Sequence, residues 1–256
     1  MSDLNNKTAL VTGASRGIGR ASAKALANAG ARVLVHYGRS AAEADSLVAE
    51  IRAAGGRADA MQADLAASDG AATLVQKVRA VVDNRLDIFV SNAGVSKAAS
   101  IEDHTIADFD NLFSTNVRSP FFLVQQLLPL LGEGSNIVVI SSIVAHAVPG
   151  NPGQPGSPSI IAYAATKGAI ETLVKHWAAI LGPRGIRVNA VAPGVIDTDM
   201  SNFTKSEAGR NVTLGMQALK RIGQPADVAD VVAFVASDAA RWITGASIPV
   251  DGGSKL

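Results

Sequence analysis

The chain has 256 residues, no cysteine and a formal net charge of +1. That charge excludes the strong field of a nucleic-acid or acidic-membrane binder, and the missing cysteines exclude a disulfide framework, a thiol nucleophile and a thiolate metal site. With 48% hydrophobic and 18% charged residues, the composition is that of an ordered, apolar soluble chain long enough to bury a large core.

Seven short runs rich in β-branched residues read as strands: Thr8–Thr12, Arg32–His36, Ala58–Asp64, Leu86–Ser91, Asn136–Ser141, Arg187–Ala192 and Ser247–Asp251. Asn136–Ser141 is apolar without alternation, as a strand covered on both faces should be. Between the early runs, Ile18–Ala29, Ala41–Ala54 and Asp69–Val82 carry apolar residues at helical spacing. Strand, helix, strand in repetition implies an α/β fold, a parallel sheet with helices on both faces. No linker, repeat or charge block divides the chain, so residues 1–256 read as a single domain. The one long irregular stretch is Val148–Ser159, "VPGNPGQPGSPS", whose prolines and glycines preclude regular structure.

Residues 12–19 read "TGASRGIG" and join the first strand to the first helix. Gly13, Gly17 and Gly19 allow a sharp turn and close approach of backbone to a pyrophosphate. The helix N-terminus behind them supplies oriented N–H groups. An acid near the end of the second strand would bind a ribose 2′-hydroxyl, whereas an arginine there suits a 2′-phosphate. The stretch "VLVHYGRS" has no acid, places Tyr37 where one would stand, and offers Arg39. Arg16, in the glycine turn, reaches toward the same pocket. Two guanidiniums and no carboxylate favour NADP(H) over NAD(H). Ser15, Ile18 and Ser40 complete the expected cofactor set on this side.

The stretch "AYAATKGA" holds one of only two tyrosines, Tyr163, with Lys167 four positions on. Helical i, i+4 spacing puts both on one face. A phenol titrates near 10 and is a poor base at neutral pH. A nearby ammonium favours the phenolate. The expectation is a phenol made acidic, with a shift of about three units corresponding to roughly 4 kcal/mol.

Together the motifs "TGASRGIG" (12–19), "DL" (64–65), "SNAG" (91–94), "STN" (114–116), "ISS" (140–142), "YAATK" (163–167) and "APG" (192–194) resemble the short-chain dehydrogenase/reductase family over essentially the whole chain. The 3-oxoacyl-(acyl carrier protein) reductases and related carbonyl reductases look most similar. The resemblance implies a seven-stranded, doubly wound Rossmann sheet, usually assembled as a homotetramer, and hydride transfer between NADP(H) and a carbonyl or secondary alcohol. It implies that Tyr163 is the general acid/base, that Lys167 lowers its pKa and holds the nicotinamide ribose, and that an oxidised nicotinamide adds a further positive charge. Ser142, rather than its neighbour Ser141, would bind the substrate oxygen, and Asn116 would hold a water that links Lys167 to solvent. Asp64 and Leu65 would touch adenine. Asn92, Ala93 and Gly94 would lie beside the cofactor, and Pro193, Gly194, Ile196 and Thr198 would hold the carboxamide. Asn189 reads as structural, and no catalytic metal is expected.

The chain departs from the family pattern in three places. Ser91 replaces the usual first asparagine of Asn-Asn-Ala-Gly. The interval from Ser142 to Tyr163 is long and contains the Pro/Gly-rich loop near 147–159, which should border the substrate. The last three residues, Ser254-Lys255-Leu256, spell a peroxisomal address in a eukaryotic chain. Otherwise the expected compartment is the cytoplasm, because no signal peptide or membrane span is legible. A segment over 199–216 with Met200, Phe203, Val212, Leu214 and Met216 reads as a substrate lid or ordinary core. Beyond Lys205 and Arg210 it offers no cation cluster, so a ketone or aldehyde with a moderately apolar body is the expected substrate. The alternative is a non-catalytic Rossmann protein that senses NADP(H). An epimerase or dehydratase of the wider superfamily would need a larger C-terminal domain than follows Pro193.

Overall fold

Valine, isoleucine and alanine dominate the strand-forming runs because both faces of the sheet are covered. The computed structural model describes residues 3–148 and 159–254. Most of the loop expected near 147–159, and Lys255 and Leu256 of the terminal tripeptide, lie outside the described residues. The strands are β1 (Thr8–Val11), β2 (Arg32–Tyr37), β3 (Arg57–Gln62), β4 (Ile88–Ser91), β5 (Asn136–Ile140), β6 (Arg187–Pro193) and β7 (Ser247–Val250). They form one parallel sheet in the order β3-β2-β1-β4-β5-β6-β7.

The helices are α1 (Gly17–Asn28), α2 (Ala41–Ala53), α3 (Gly70–Arg79), α4 (Ile106–Phe113), α5 (Ser119–Leu127), α6 (Ile161–Leu181), α7 (Glu207–Met216) and α8 (Pro225–Ala236). Strand side chains alternate between two apolar layers. Leu10, Ile137 and Val139 pack on one face with α3, α5 and α6, through residues such as Leu74, Leu127 and Val174. Val11, Val138 and Ile140 pack on the other with α1, α2 and α8, through Leu26, Leu47 and Val232. Each fully buried leucine contributes about 1.5–3 kcal/mol of burial free energy.

Three expected elements shift by two or three residues at one end, and the others by one at most. β3 stops at Gln62 rather than Asp64, as the chain turns there and the Asp64 carboxylate accepts from the Ala66 amide at 3.0 Å. β4 begins at Ile88 because the Leu86 amide donates to Leu130 O at 2.9 Å, outside the sheet. α3 starts at Gly70 and ends at Arg79, since the Val81 and Val82 amides both turn back onto Val78 O.

The strand order reverses between β1 and β4. A crevice opens there beyond the carboxyl ends of the strands, where an open α/β sheet binds its ligands. Every motif singled out above falls at this end.

Candidate active site

The glycine turn is fixed by groups from three strands. Gly13 (φ +62°) and Gly17 (φ +56°) are left-handed, which favours glycine. Gly19 is needed for space, since a Cβ there would lie 2.4 Å from Gly13 O. The Thr12 hydroxyl accepts from the amides of Asn92 (2.9 Å) and Ala93 (3.0 Å). The Asn92 side chain donates to Thr12 O at 2.8 Å and Gly13 O at 3.1 Å. At β2, His36 Nδ1 accepts from the Gly13 amide at 3.1 Å. The α1 N-terminus has no side-chain hydrogen bond at its cap, which leaves its first amides without an intrahelical partner.

Of the other residues expected at the cofactor, Ser15 is buried and Ile18 half-buried, Arg39 is exposed just past β2, and Ser40 precedes α2. Arg16 is also exposed, and its guanidinium pairs with Asp199 at 3.3 Å, joining the turn to the start of the 199–216 segment. Asp64 is exposed at the rim and Leu65 is buried beneath it. Gly94 lies close beside Asn116, whose Oδ1 is 3.3 Å from where a Cβ would stand. Pro193 ends β6, the Gly194 amide donates to Val250 O at 3.0 Å, and Ile196 is buried. Thr198 meets the glycine turn, its Cγ2 3.3 Å from a Cβ placed on Gly17.

Ser142 follows β5 and faces the Tyr163 phenol from across the crevice. Tyr163 and Lys167 lie one turn apart on α6, with Lys167 Nζ 5.5 Å from the phenol ring centroid. The expectation of an acidic phenol does not hold for this chain by itself. Burial pushes Tyr163 up to about 12, and the Ser142 hydroxyl only partly offsets it. The Lys167 ammonium donates to Ile140 O at 2.7 Å rather than to the phenol. Burial also pulls Lys167 down to about 8, opposed by the Glu171 carboxylate one further turn along α6. Glu171 is itself buried and accepts from Ser247 Oγ at 2.7 Å.

Asn116 sits in a π-helical turn, Ser114–Arg118, between α4 and α5. Its Oδ1 accepts from the Val95 amide at 2.9 Å, and its Nδ2 donates to Val95 O at 2.9 Å and Thr166 Oγ1 at 3.1 Å. The side chain thus braces the loop after β4 against α6. Ser141 points into the interior, with its hydroxyl unpartnered among the described residues. Asn189 ties β6 to Ile243 and Ala246, the structural part expected of it.

In the 199–216 segment Met200, Phe203 and Val212 are exposed, while Thr204 and Thr213 face inward. Those large apolar side chains are therefore not core. Sequence reasoning passed over Thr12, His36, Glu171 and Asp199. Two of these carried a signal: His36 is a histidine near the carboxyl end of a parallel strand, and Glu171 follows Lys167 at helical spacing. No group of three or more His, Cys, Asp or Glu side chains able to hold a metal occurs among the described residues.

A family model described as enoyl-(acyl carrier protein) reductase matches residues 13–255. An uncharacterized oxidoreductase of Methylorubrum extorquens is 44% identical over 258 residues, covering 99% of each chain. A 3-oxoacyl-[acyl-carrier-protein] reductase of Staphylococcus epidermidis is 39% identical, covering 97% of this chain and 98% of its own. Among solved structures, a short-chain dehydrogenase from Burkholderia cenocepacia in complex with NADP superposes with a TM-score of 0.92 at 40% identity, covering 99% of both chains.

Proposed function

The chain belongs to the short-chain dehydrogenase/reductase family, and from that premise we propose that it is an NADP(H)-dependent reductase acting on a carbonyl, or in reverse on a secondary alcohol, with Tyr163 as general acid/base. The crevice fits the dinucleotide. Gly13 and Gly19 leave a cradle that a Cβ would fill, and α1 presents unshared amides to a pyrophosphate. No carboxylate stands at the end of β2, where the exposed Arg39 suits a 2′-phosphate; Arg16, paired with Asp199, would have to leave that partner to join it.

When bound, NADPH supplies the hydride. The chain's own groups do the rest. Ser142 donates a hydrogen bond to the substrate oxygen and offsets its growing charge. Tyr163 gives that oxygen a proton in reduction and takes it back in oxidation. A phenol held near 12 stays protonated, so by itself it is the acid of reduction. Lys167 holds a positive charge behind it and is placed to bind the ribose hydroxyls. Because the Asn116 side chain is engaged with Val95 and Thr166, we assign a water-holding part to its backbone carbonyl in the π-turn.

What supports this reading is that Ser142 bonds the Tyr163 phenol while Lys167 Nζ lies 5.5 Å from its ring. A protein that only senses NADP(H) has no use for that trio. For the substrate we favour a ketone or aldehyde with an apolar body, covered by Met200 and Phe203 of the 199–216 lid. We further assign the apolar face of Ile106, Phe109, Phe121 and Phe122 on α4 and α5 to contact with a second copy, in keeping with a homotetramer. The cytoplasm suits a chain without cysteine.

The test is NADPH oxidation against a panel of ketones, aldehydes, quinones and 3-oxoacyl thioesters. Turnover with at least one carbonyl is expected, and Tyr163→Phe should lower it by about 10²–10⁴ with NADPH affinity kept. Binding without turnover across the panel, or an active Tyr163→Phe protein, would refute the assignment.

A further inference from the structure

His36 is buried at the end of β2, and none of the chemistry above uses it. Its two ring nitrogens face different loops. Nδ1 accepts from the Gly13 amide at 3.1 Å, and Nε2 lies 3.1 Å from Ala63 O. A backbone amide only donates and a carbonyl only accepts. The network therefore fixes a neutral ring with its proton on Nε2. Burial favours the same state, pulling the ring down to about 4.

Gly13 is the pivot of the turn. Its carbonyl accepts from Asn92 Nδ2 at 3.1 Å, so both of its polar backbone groups are held by side chains, one on each flank. Both bonds are partly buried, and losing the His36 side would leave the Gly13 amide, a donor at the pivot itself, without its acceptor.

We propose that His36 is a positioning residue for the cofactor: it holds the left-handed Gly13 turn in the shape that receives the pyrophosphate, with the Ala63 carbonyl fixing the tautomer that makes Nδ1 an acceptor. The proposal rests on reading the crevice as the NADP(H) site. His36 touches no phosphate itself, so its effect falls on NADPH and NADH alike. That separates it from Arg39, whose effect belongs to the 2′-phosphate.

Two substitutions divide the ring's tasks. Asparagine puts an acceptor near the position of Nδ1 and needs no tautomer to be set. Glutamine reaches the position of Nε2 and donates to Ala63, but leaves Gly13 without an acceptor. Calorimetric titration of the full chain with NADPH and with NADH, beside a melting curve for each variant, reads the difference. The expected results are a roughly tenfold weaker Kd for both cofactors in His36→Gln, a Kd within about threefold of wild type in His36→Asn, and a kcat at saturating NADPH within about twofold in both. Wild-type affinity in His36→Gln would overturn the proposal, as would a loss confined to NADPH. So would a tenfold loss in His36→Asn, which decides the matter even if the glutamine variant does not fold. Losses that track melting temperature in both variants would make the histidine structural only. A wild-type chain that binds neither cofactor would instead overturn the reading of the crevice.

Discussion

On one wall of the crevice, Thr12, Gly13, Asn92 and His36 exchange hydrogen bonds of 2.8–3.1 Å, mostly to backbone. On the other wall, Met200, Phe203 and Val212 stand exposed on a short 3₁₀ segment and α7, tied to the glycine turn by the exposed Arg16–Asp199 pair. The first wall stores its shape in backbone geometry and has almost no freedom to change. The second stores it in side chains that touch little, so it can vary without disturbing the sheet. An enzyme that keeps one cofactor and must match one substrate among many is well served by that division.

The comparison is broken most easily at glycines. Gly19→Ala would set a Cβ 2.4 Å from both Gly13 O and Asn92 Nδ2. Overpacking of this kind costs about 1–3 kcal/mol, and it falls directly on the cofactor turn. NADPH affinity should drop by about tenfold to a hundredfold in a fluorescence titration. Gly215→Ala in α7 is the control, since a Cβ there meets nothing within 4 Å. It should leave NADPH binding alone and raise stability by about 0.5–1 kcal/mol. Equal damage from the two would erase the distinction between the walls.

Arg39→Ala sharpens the chemistry of the first wall. Removing one charged partner of a phosphate should weaken NADPH by roughly tenfold to a hundredfold and leave NADH unchanged. Equal weakening of both cofactors would deny the phosphate pocket.

A smaller effect is expected from pH. Lys167 is pulled down from 10.5 to about 8 by burial and held up by Glu171. Its charge is present below that value and lost above it, so kcat/KM for NADPH should fall as pH rises through about 8. Glu171→Gln removes the opposing charge, and the falling limb should move to lower pH. The sign for stability is opposite. Between the folded value near 8 and the unfolded value of 10.5, the unfolded chain binds the extra proton, so folding gains as pH rises through that window. A limb that stays put in Glu171→Gln would show that the carboxylate does not act on Lys167.

Much of the first wall was legible in the sequence because backbone demands leave marks. Gly13, Gly17 and Gly19 announce a turn, the apolar run at Asn136–Ser141 announces a covered strand, and Tyr163 and Lys167 announce a shared helical face. What was not legible is what tertiary packing decides. Nothing in "YAATK" says how deeply the phenol is buried, and for that reason an acidic phenol was expected where burial raises it. Nothing in "STN" says that Asn116 spends its side chain on Val95 and Thr166. His36 meets Gly13 and Ala63, 23 and 27 residues away in sequence, beyond the reach of any local pattern, whereas Glu171 stands only one helical turn from Lys167 and was passed over for want of any sign that both are buried. Exposure was equally hidden in the 199–216 segment, where apolar residues at 200, 203 and 212 suit a core as well as a cover.

Phe203 is the finest probe of the second wall. Its ring is 52% exposed, so Phe203→Ser removes little buried surface from the folded chain. A core phenylalanine would lose about 3–5 kcal/mol on truncation, whereas a surface substitution usually stays within about 0.5 kcal/mol. The melting temperature should therefore hardly move, and the Kd for NADPH should not change at all. If the ring covers an apolar substrate, KM for the best ketone of the panel should rise by roughly threefold to tenfold, the worth of about 1 kcal/mol of recovered burial, with kcat little altered. A large stability loss would return Phe203 to the core and dissolve the contrast between the walls. An unchanged KM would leave the exposed side chains of 199–216 without a substrate to cover.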